Sequence, residues 1–502
     1  MNRTQKFALN SLTTALQQIV TMLVGFITPA LMIKTYGSEV NGLVSSINQV
    51  IAYISLVEAG LSGAAVFSLY KPLAEKHHSE INGIVSAAKK YYFNAGYMFS
   101  AAAFIMAVVY ACMKAVYGLA PLHVFILALL LCVNGCIDFF LLARYRVILT
   151  ADQRTYILSI VGIFQTICKA LIIIFATAKE IDIITLYALT LIPTAIKTTV
   201  LQYVVKKKYA FLDFRAKPNY AALGRRYDVI YQQILGAIQM GAPSVIATIF
   251  LPLISVSIYS VYNMVISGIN GVLNIFVSGL PAGFGEVIAK NEIETLKKTT
   301  NQFEVAYYFV LSVTYGLTFV LILPFISVYT KDFSDAHYYL PSLAFLITLN
   351  GLFYNIKTPQ SMLIISAGMY KETRWRVTIQ GIIIVVGGCL LVKPLGLEGI
   401  MIASIASNVV RTVDMLYFVP KYVTHRRVGE SLRRMVLVCI NVGIIFVPSI
   451  VITFVPQNYL QWILMAIGYS AYAVAVTVVS VWLFDRDEVK ALVQRFAGII
   501  RR

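Results

Sequence analysis

Charged residues are scarce in this sequence of 502 residues. Asp, Glu, Lys and Arg make up only 13% of the chain and apolar residues 59%, whereas about a quarter of a soluble domain is charged. The mean hydropathy is +0.77, and long apolar stretches recur along the chain, many of them the ~20 residues needed to cross the hydrocarbon core of a bilayer. Because lipid offers no water to backbone groups, such stretches must be helices. The composition excludes an ordinary soluble protein and predicts an all-α integral membrane protein.

Motifs for covalent or nucleotide chemistry are missing. The sequence has no H-E-x-x-H, G-x-x-x-x-G-K-[ST] or G-x-S-x-G pattern, so we predict no enzyme and no ATP-driven pump within this chain. The six cysteines lie in apolar stretches without disulfide-like or metal-ligand spacing, and we interpret them as small buried residues. We therefore expect no cofactor and no metal.

The apolar stretches predict fourteen transmembrane spans. The first is too long for the apolar region of a signal peptide and is interpreted as a span. Twelve spans remain an alternative, because removing two leaves the sides of all other loops unchanged. The predicted spans are 9–33, 41–69, 91–113, 121–143, 156–178, 183–205, 229–251, 254–282, 303–327, 339–366, 376–392, 396–419, 435–455 and 459–484.

Basic residues are distributed very unevenly between the two sets of alternating loops. One set, which includes both termini, contains 32 Lys and Arg residues, and the other contains five. Because cytoplasmic loops of membrane proteins are enriched in Lys and Arg, we predict that both termini are cytoplasmic. The net charge of +18 is then explained by contact with anionic phospholipids, and no nucleic-acid partner is expected.

An internal repeat relates the two halves of the chain. Residues 41–48 and 263–270 share the pattern N-x-x-[VI]-S-x-I-N at an offset of 222 residues, and Pro29 is echoed by Pro252. Parallel repeats of this kind form two bundles with a binding site between them. We predict an N-terminal six-helix lobe (1–205), a basic cytoplasmic linker (206–228), a C-terminal six-helix lobe (229–420), and two additional helices with a basic tail (421–502).

Seven charged residues fall inside the predicted spans. A charge at a helix centre costs about 2.5–3.5 kcal/mol on insertion scales, so seven facing lipid would cost on the order of 20 kcal/mol. They must instead face one another or a wet cavity. They are Lys169, Lys197, Lys357, Arg411, Glu58, Asp138 and Asp414.

Two explanations for these charges stay open. Arg411 and Asp414 are three residues apart on one helix and can neutralise each other. Interhelical pairs with Glu58 or Asp138 can satisfy two of the three lysines, and Lys169 and Lys357 can reach a membrane interface with their long side chains. Because four bases outnumber three acids, at least one cation is left over. For this excess we favour an anion-binding role.

Polar residues form stripes on several spans. In the eighth span they follow a spacing of three or four residues, which places them on one helical face; the stripe is Tyr259, Asn263, Ser267, Asn270 and Asn274. Asn48 belongs to a similar stripe in the second span. Such side chains either bond neighbouring helices or line a cavity and bind sugar hydroxyls. Glu58, Asp138 and Asp414 are candidates for ion coupling, and Pro29, which predicts a bend, for gating.

The run from Ser55 to Ala74, S-L-V-E-A-G-L-S-G-A-A-V-F-S-L-Y-K-P-L-A, resembles the second helix and following loop of bacterial polysaccharide flippases of the Wzx type. Asn10-Ser11, Tyr36-Gly37 and the segment from Ala151 to Tyr156 are similar too. These flippases belong to the multidrug/oligosaccharidyl-lipid/polysaccharide exporter superfamily, and the resemblance covers about residues 1–480. It implies two helical lobes around a cationic cavity and alternating access.

The resemblance further implies a transporter that flips undecaprenyl-diphosphate-linked oligosaccharide for capsule, exopolysaccharide or O-antigen synthesis. Lys and Arg are natural ligands for its diphosphate. We expect a monomer, with a polysaccharide polymerase as a further partner. The alternatives are a drug/cation antiporter of the same superfamily, a membrane polysaccharide polymerase or ligase, and a channel. An acidic cavity would favour the antiporter, a large external domain the polymerase, and oligomeric symmetry the channel.

Overall fold

The computed structural model describes residues 3–113, 119–220, 226–277, 280–451, 454–488 and 490. These residues form α-helices joined by short connections, with two π-helical turns at Asp138–Leu142 and Pro420–Thr424. The helices are α1 (Arg3–Tyr36), α2 (Ser38–Ile54), α3 (Leu56–Glu75), α4 (His78–Met113), α5 (Pro121–Ile137), α6 (Ala143–Ala151), α7 (Thr155–Ala178), α8 (Ile183–Leu189), α9 (Leu191–Lys208), α10 (Arg226–Phe250), α11 (Leu253–Val277), α12 (Leu280–Ala289), α13 (Ile293–Tyr329), α14 (Pro341–Ile356), α15 (Thr358–Ser366), α16 (Tyr370–Val419), α17 (Val428–Val451) and α18 (Tyr459–Phe484).

The predicted all-α membrane fold is confirmed. Within the described residues, ten helices are long and apolar enough to cross a membrane. Each of the fourteen predicted spans coincides with one helix, a pair of consecutive helices, or half of the long helix α16. The chain is a multi-pass membrane protein.

Several predicted spans are interrupted. The second breaks between α2 and α3 at Ser55, and the tenth breaks between α14 and α15 at Lys357. The backbone of α16 turns at Gly396, where φ is 59° and ψ is −133°. Glycine adopts this conformation at no steric cost, so α16 contains two of the predicted spans.

Two compact units make up the chain. The first contains the residues up to Thr248 together with Pro252–Ser260, and the second contains Ile249–Leu251 and the residues from Val261 onward. The domain boundaries predicted from the repeat stay a prediction. In the first unit, apolar side chains of α2, α4 and α5 form a buried core.

The second unit contains a buried ion cluster that fastens α17 and α18 to α13. The carboxylate of Glu304 in α13 is 1% exposed and accepts hydrogen bonds from Arg434 (2.9 Å) and Ser431 (2.7 Å) of α17. It also accepts from Arg426 (3.1 Å), which precedes α17. Arg434 in turn donates to Asp485, just beyond α18, at 3.0 Å. The two helices outside the repeat are therefore tied to α13 by charged groups.

Backbone turns locate the repeat more accurately than the sequence pattern does. Three pairs of residues with positive φ recur at offsets of 215, 215 and 216 residues: Lys76 and Asn291, Gln153 and Gly368, Glu180 and Gly396. The offset of 222 inferred from the N-x-x-[VI]-S-x-I-N pattern is thus wrong by about seven residues. Seven residues are close to two helical turns, so the incorrect register keeps the same helical face and looks equally periodic.

Candidate anion-binding site

A polar cavity of about 460 Å³ lies within the first unit, among α1, α5, α7 and α9. The described residues of its wall comprise four charged side chains, four uncharged polar ones, three leucines and a glycine. The residues that line it are Gln17, Asn134, Gly135, Asp138, Leu142, Arg146, Leu158, Gln165, Lys169, Thr194, Lys197 and Leu201.

Three uncharged side chains form the framework of this cavity. Thr194 of α9 donates to the Asn134 Oδ1 of α5 at 2.7 Å, and the Gln165 Nε2 of α7 donates to the Thr194 Oγ1 at 2.9 Å. Asn134, Gln165 and Thr194 therefore join three helices. Because each bonds another side chain, their orientations in the cavity wall are fixed.

The two lysines of the cavity are held by this framework and not by carboxylates. The Lys197 Nζ donates to the Gln165 Oε1 at 3.0 Å, and the Lys169 Nζ donates to the Asn134 Oδ1 at 3.2 Å. Within the described residues, no carboxylate lies within ion-pair distance of either lysine. Amide oxygens solvate an ammonium group without neutralising its charge, and Asp138 attracts Lys197 only from beyond ion-pair distance. The two lysines also repel each other.

Among the described residues, Asp138 is the single acid in the cavity wall, and it is paired with Arg146. Asp138 begins the π-helical turn between α5 and α6, and Arg146 follows in α6. The pairing of Asp138 with a lysine, one of the alternatives left open by the sequence, is therefore not observed. With Lys169, Lys197 and Arg146 against one aspartate, the described residues of the cavity wall carry a net charge of +2.

Predicted charges of the second unit are arranged differently. Arg411, whose side chain is 3% exposed, is paired with Asp414, which also pairs with Arg376. Of the two explanations that the sequence leaves open for Arg411, the structure therefore shows local neutralisation by Asp414. Its role as a substrate ligand stays a prediction.

Lys357 does not reach outward to an interface. It is 5% exposed, and its Nζ donates to the Asn408 Oδ1 at 2.7 Å and to the Tyr354 carbonyl oxygen at 3.1 Å. The Tyr354 ring centroid lies 4.5 Å from the same Nζ. Burial with neutral partners excludes the interfacial explanation for this lysine.

The other predicted substrate-binding residues are not among the residues that line this cavity. Tyr259 is buried, Asn263 and Asn270 are half-buried, and Asn48 is exposed; Asn270 accepts a hydrogen bond from Asn355 at 2.7 Å. Helix α1 continues through Pro29. The Glu58 side chain lies outside the described part of the structure.

Sequence reasoning misses Arg146 and the three framework residues. Arg146 falls in a basic loop by sequence, because the π-helical turn extends the helical chain beyond the predicted end of the fourth span. The framework residues carry no charge, and none is part of a recognised stripe. The signal that identifies them is their recurrence in the second half as Asn350, Gln380 and Asn408.

A larger cavity of about 1050 Å³ also lies in the first unit, but its charges do not favour an anion. Its lining includes Lys34 and His123 together with Glu180 and Asp182. Asp182 caps α8 through its carboxylate, and hydrogen bonds from Thr185 hold the pKa of this group below its usual range. The two acids offset the basic groups, so the smaller cavity is the better candidate for an anion.

Known structures share this fold. A lipid II flippase, MurJ, in an inward closed conformation is similar over 96% of this chain and 100% of its own, with 14% identity and a TM-score of 0.69. An inward-facing multidrug resistance MATE transporter of the MOP superfamily matches over 85% and 99%, with 12% identity and a TM-score of 0.66.

A MOP superfamily transporter from Pyrococcus furiosus, described as having a binding pocket of reversed polarity, matches over 86% and 96%, with 13% identity and a TM-score of 0.60. No family model matches the sequence, and no curated protein does either. The resemblance to the exporter superfamily is therefore confirmed at the level of structure: the chain has the fold shared by the MurJ flippase and the MATE transporters.

Proposed function

We propose that this protein is a transporter that flips an undecaprenyl-diphosphate-linked oligosaccharide from the inner to the outer leaflet of a bacterial cytoplasmic membrane. It works by alternating access and supplies repeat units for capsule, exopolysaccharide or O-antigen synthesis. The observation that carries the proposal is the cavity of the first unit, in which Lys169 and Lys197 lack carboxylate partners among the described residues.

The charge of the cavity supports an anionic cargo. The described residues of its wall carry a net charge of +2, and a diphosphate diester carries two negative charges at neutral pH. An anion bound there would compensate the lysines and accept charge-assisted hydrogen bonds, which are roughly twice as strong as neutral ones. Asn134, Gln165 and Gln17 supply donors and acceptors for sugar hydroxyls next to the phosphates.

The competing function is drug/cation antiport, because MATE transporters share the fold with a similar TM-score. Among the described residues, a cationic drug entering this cavity would meet Arg146, Lys169 and Lys197 and only one acid, Asp138. Like charges repel strongly where water is scarce. The cavity therefore favours the flippase over the antiporter.

Reconstituted protein provides the test. The full chain is placed in proteoliposomes with a fluorescent lipid-linked oligosaccharide, and flipping is measured as protection of the label from an impermeant quencher. We expect transport by the unaltered protein. Lys197→Ala and Lys169→Ala should each slow it by roughly tenfold or more, since a hydrogen bond to a charged group contributes about 1.5–3 kcal/mol.

Lys206→Ala is the matched control, because Lys206 is exposed in the last turn of the same helix as Lys197. It removes the same charge outside the cavity and should leave the rate unchanged. Proteoliposomes that exchange cationic dyes for protons and do not flip the labelled lipid would establish the antiporter instead. Full flipping by both cavity variants would remove the lysines from the site.

A further inference from the structure

The hydrogen-bonded framework of the first unit recurs in the second unit. There the Asn408 Nδ2 donates to the Asn350 Oδ1 at 2.9 Å, and the Gln380 Nε2 donates to the Asn408 Oδ1 at 3.2 Å. These residues correspond to Thr194, Asn134 and Gln165 at offsets of 214, 216 and 215 residues, which agree with the offsets of the backbone turns to within two residues. Each unit thus builds the same polar framework from three predicted spans of its own half of the repeat; in the second unit these are α14 and the two parts of α16 on either side of Gly396.

A cation follows the central residue of each framework at the same distance. Lys197 lies three residues after Thr194, and Arg411 lies three residues after Asn408. Both are on the same helix as the residue they follow. Lys197 and Arg411 are therefore equivalent positions of the repeat.

The two positions differ in what comes one helical turn later. In the second unit it is Asp414, whose carboxylate is paired with Arg411 and Arg376. In the first unit it is Val200, which offers no charge, and Lys197 is left with an amide partner. Residues three apart on a helix are neighbours, so an acid at 200 would lie beside Lys197.

We propose that, of these two equivalent positions, only Lys197 is a diphosphate-type anion site, and that the residue at 200 decides this. Arg411, at the equivalent position of the second unit, does not bind the anion because its charge is neutralised by Asp414. The proposal rests on the proposed function and specifies which of two repeated positions binds the cargo's charged group.

Arg411 does not bind a ligand anion because the carboxylate of Asp414 competes with that anion for the guanidinium group. A carboxylate on the same helix turn is always present, whereas a ligand must give up translational freedom to bind. The carboxylate of Asp414 also repels an approaching phosphate. Because Arg411 is 3% exposed, an anion reaches it only by displacing Asp414. Val200 imposes neither barrier at Lys197.

Calorimetric binding of inorganic pyrophosphate to the purified full chain tests this assignment. We expect one site per chain in the unaltered protein and none in Lys197→Ala. Val200→Asp should weaken pyrophosphate binding by roughly tenfold or more, because the new carboxylate would pair with Lys197 and repel the anion. Val200→Asn introduces a side chain of the same size as Asp without its charge, and its affinity should stay within about threefold of that of the unaltered protein. Asp414→Asn should add a second site.

Equal binding by Val200→Asp and Val200→Asn would overturn the proposal, and so would two sites, or none, in the unaltered protein. If Asp414→Asn does not fold, the pair of variants at 200 still decides. Should pyrophosphate binding follow the expected pattern while proteoliposomes move no lipid-linked oligosaccharide, the site assignment stands and the flippase proposal fails. If oligosaccharide is transported while both variants at 200 bind pyrophosphate equally, the flippase proposal stands and the site assignment fails.

Discussion

Replacing Glu304 by glutamine tests whether buried charges hold the last two helices in place. Glu304 receives hydrogen bonds from Arg434 at 2.9 Å, Arg426 at 3.1 Å, Ser431 at 2.7 Å and the Gln360 Nε2 at 3.1 Å. Glutamine keeps the volume and one acceptor oxygen. It replaces the second oxygen with an amino group that faces donors, and it removes the charge that compensates two arginines.

The expected loss of stability follows from these contacts. Removing one partner of a buried ion pair costs about 3–5 kcal/mol. The value for Glu304→Gln should fall near the lower end, about 3 kcal/mol, because Arg434 keeps Asp485 and Arg426 keeps Glu430 as partners. A loss of this size changes the unfolding equilibrium by about two orders of magnitude.

Unfolding by SDS in mixed micelles, followed by tryptophan fluorescence, measures this loss. Trp462 is a suitable reporter, since it lies in α18 and its indole donates to the Leu321 carbonyl oxygen of α13 at 3.3 Å. Glu294→Gln is the control, because that carboxylate is 87% exposed in its pair with Lys297, and exposed pairs contribute at most about 1 kcal/mol. Equal unfolding free energies for the two variants would refute the reasoning.

Two further substitutions test packing and pH dependence. Gly42→Ala should destabilise the first unit by about 1–3 kcal/mol in the same assay, because a Cβ would overlap the Leu253 carbonyl oxygen, whereas Gly25→Ala in open space should not. Burial alone would raise the pKa of Asp152, but hydrogen bonds from Tyr209 and Lys6 and the charge of Arg154 hold it below the ordinary value. The carboxylate then contributes stability above the unfolded pKa of about 3.9, which is lost as the pH falls through the folded pKa. Asp152→Asn should therefore flatten the acid limb of thermal stability measured from about pH 5 down to about pH 2, and a limb as steep as in the unaltered protein would contradict this.

Hydrophobic runs are sufficient to predict the helices, because each helix in lipid must satisfy its own backbone groups. The breaks at Ser55 and Lys357 are less visible, since neither involves a change in composition. The sequence pattern gives an incorrect register for the repeat because helical periodicity is preserved by a shift of two turns. Backbone turns such as Gln153 and Gly368, where φ is positive in both halves, fix the register independently of side-chain pattern.

Which charged residues pair with one another depends on how the helices are placed in the folded protein, as the candidate site shows. The pairing of Arg411 with Asp414 follows from a spacing of three residues, so the sequence contains it. The pairing of Asp138 with Arg146 depends on a π-helical turn that no residue pattern indicates. Within the described part of the chain, Lys197 and Lys169 are left without an ion-paired carboxylate because Arg146 pairs with the one acid found in their cavity. An excess of cations over acids, counted along the chain, indicates that some charge is uncompensated, but only the paths of α5, α7 and α9 decide which residue carries it.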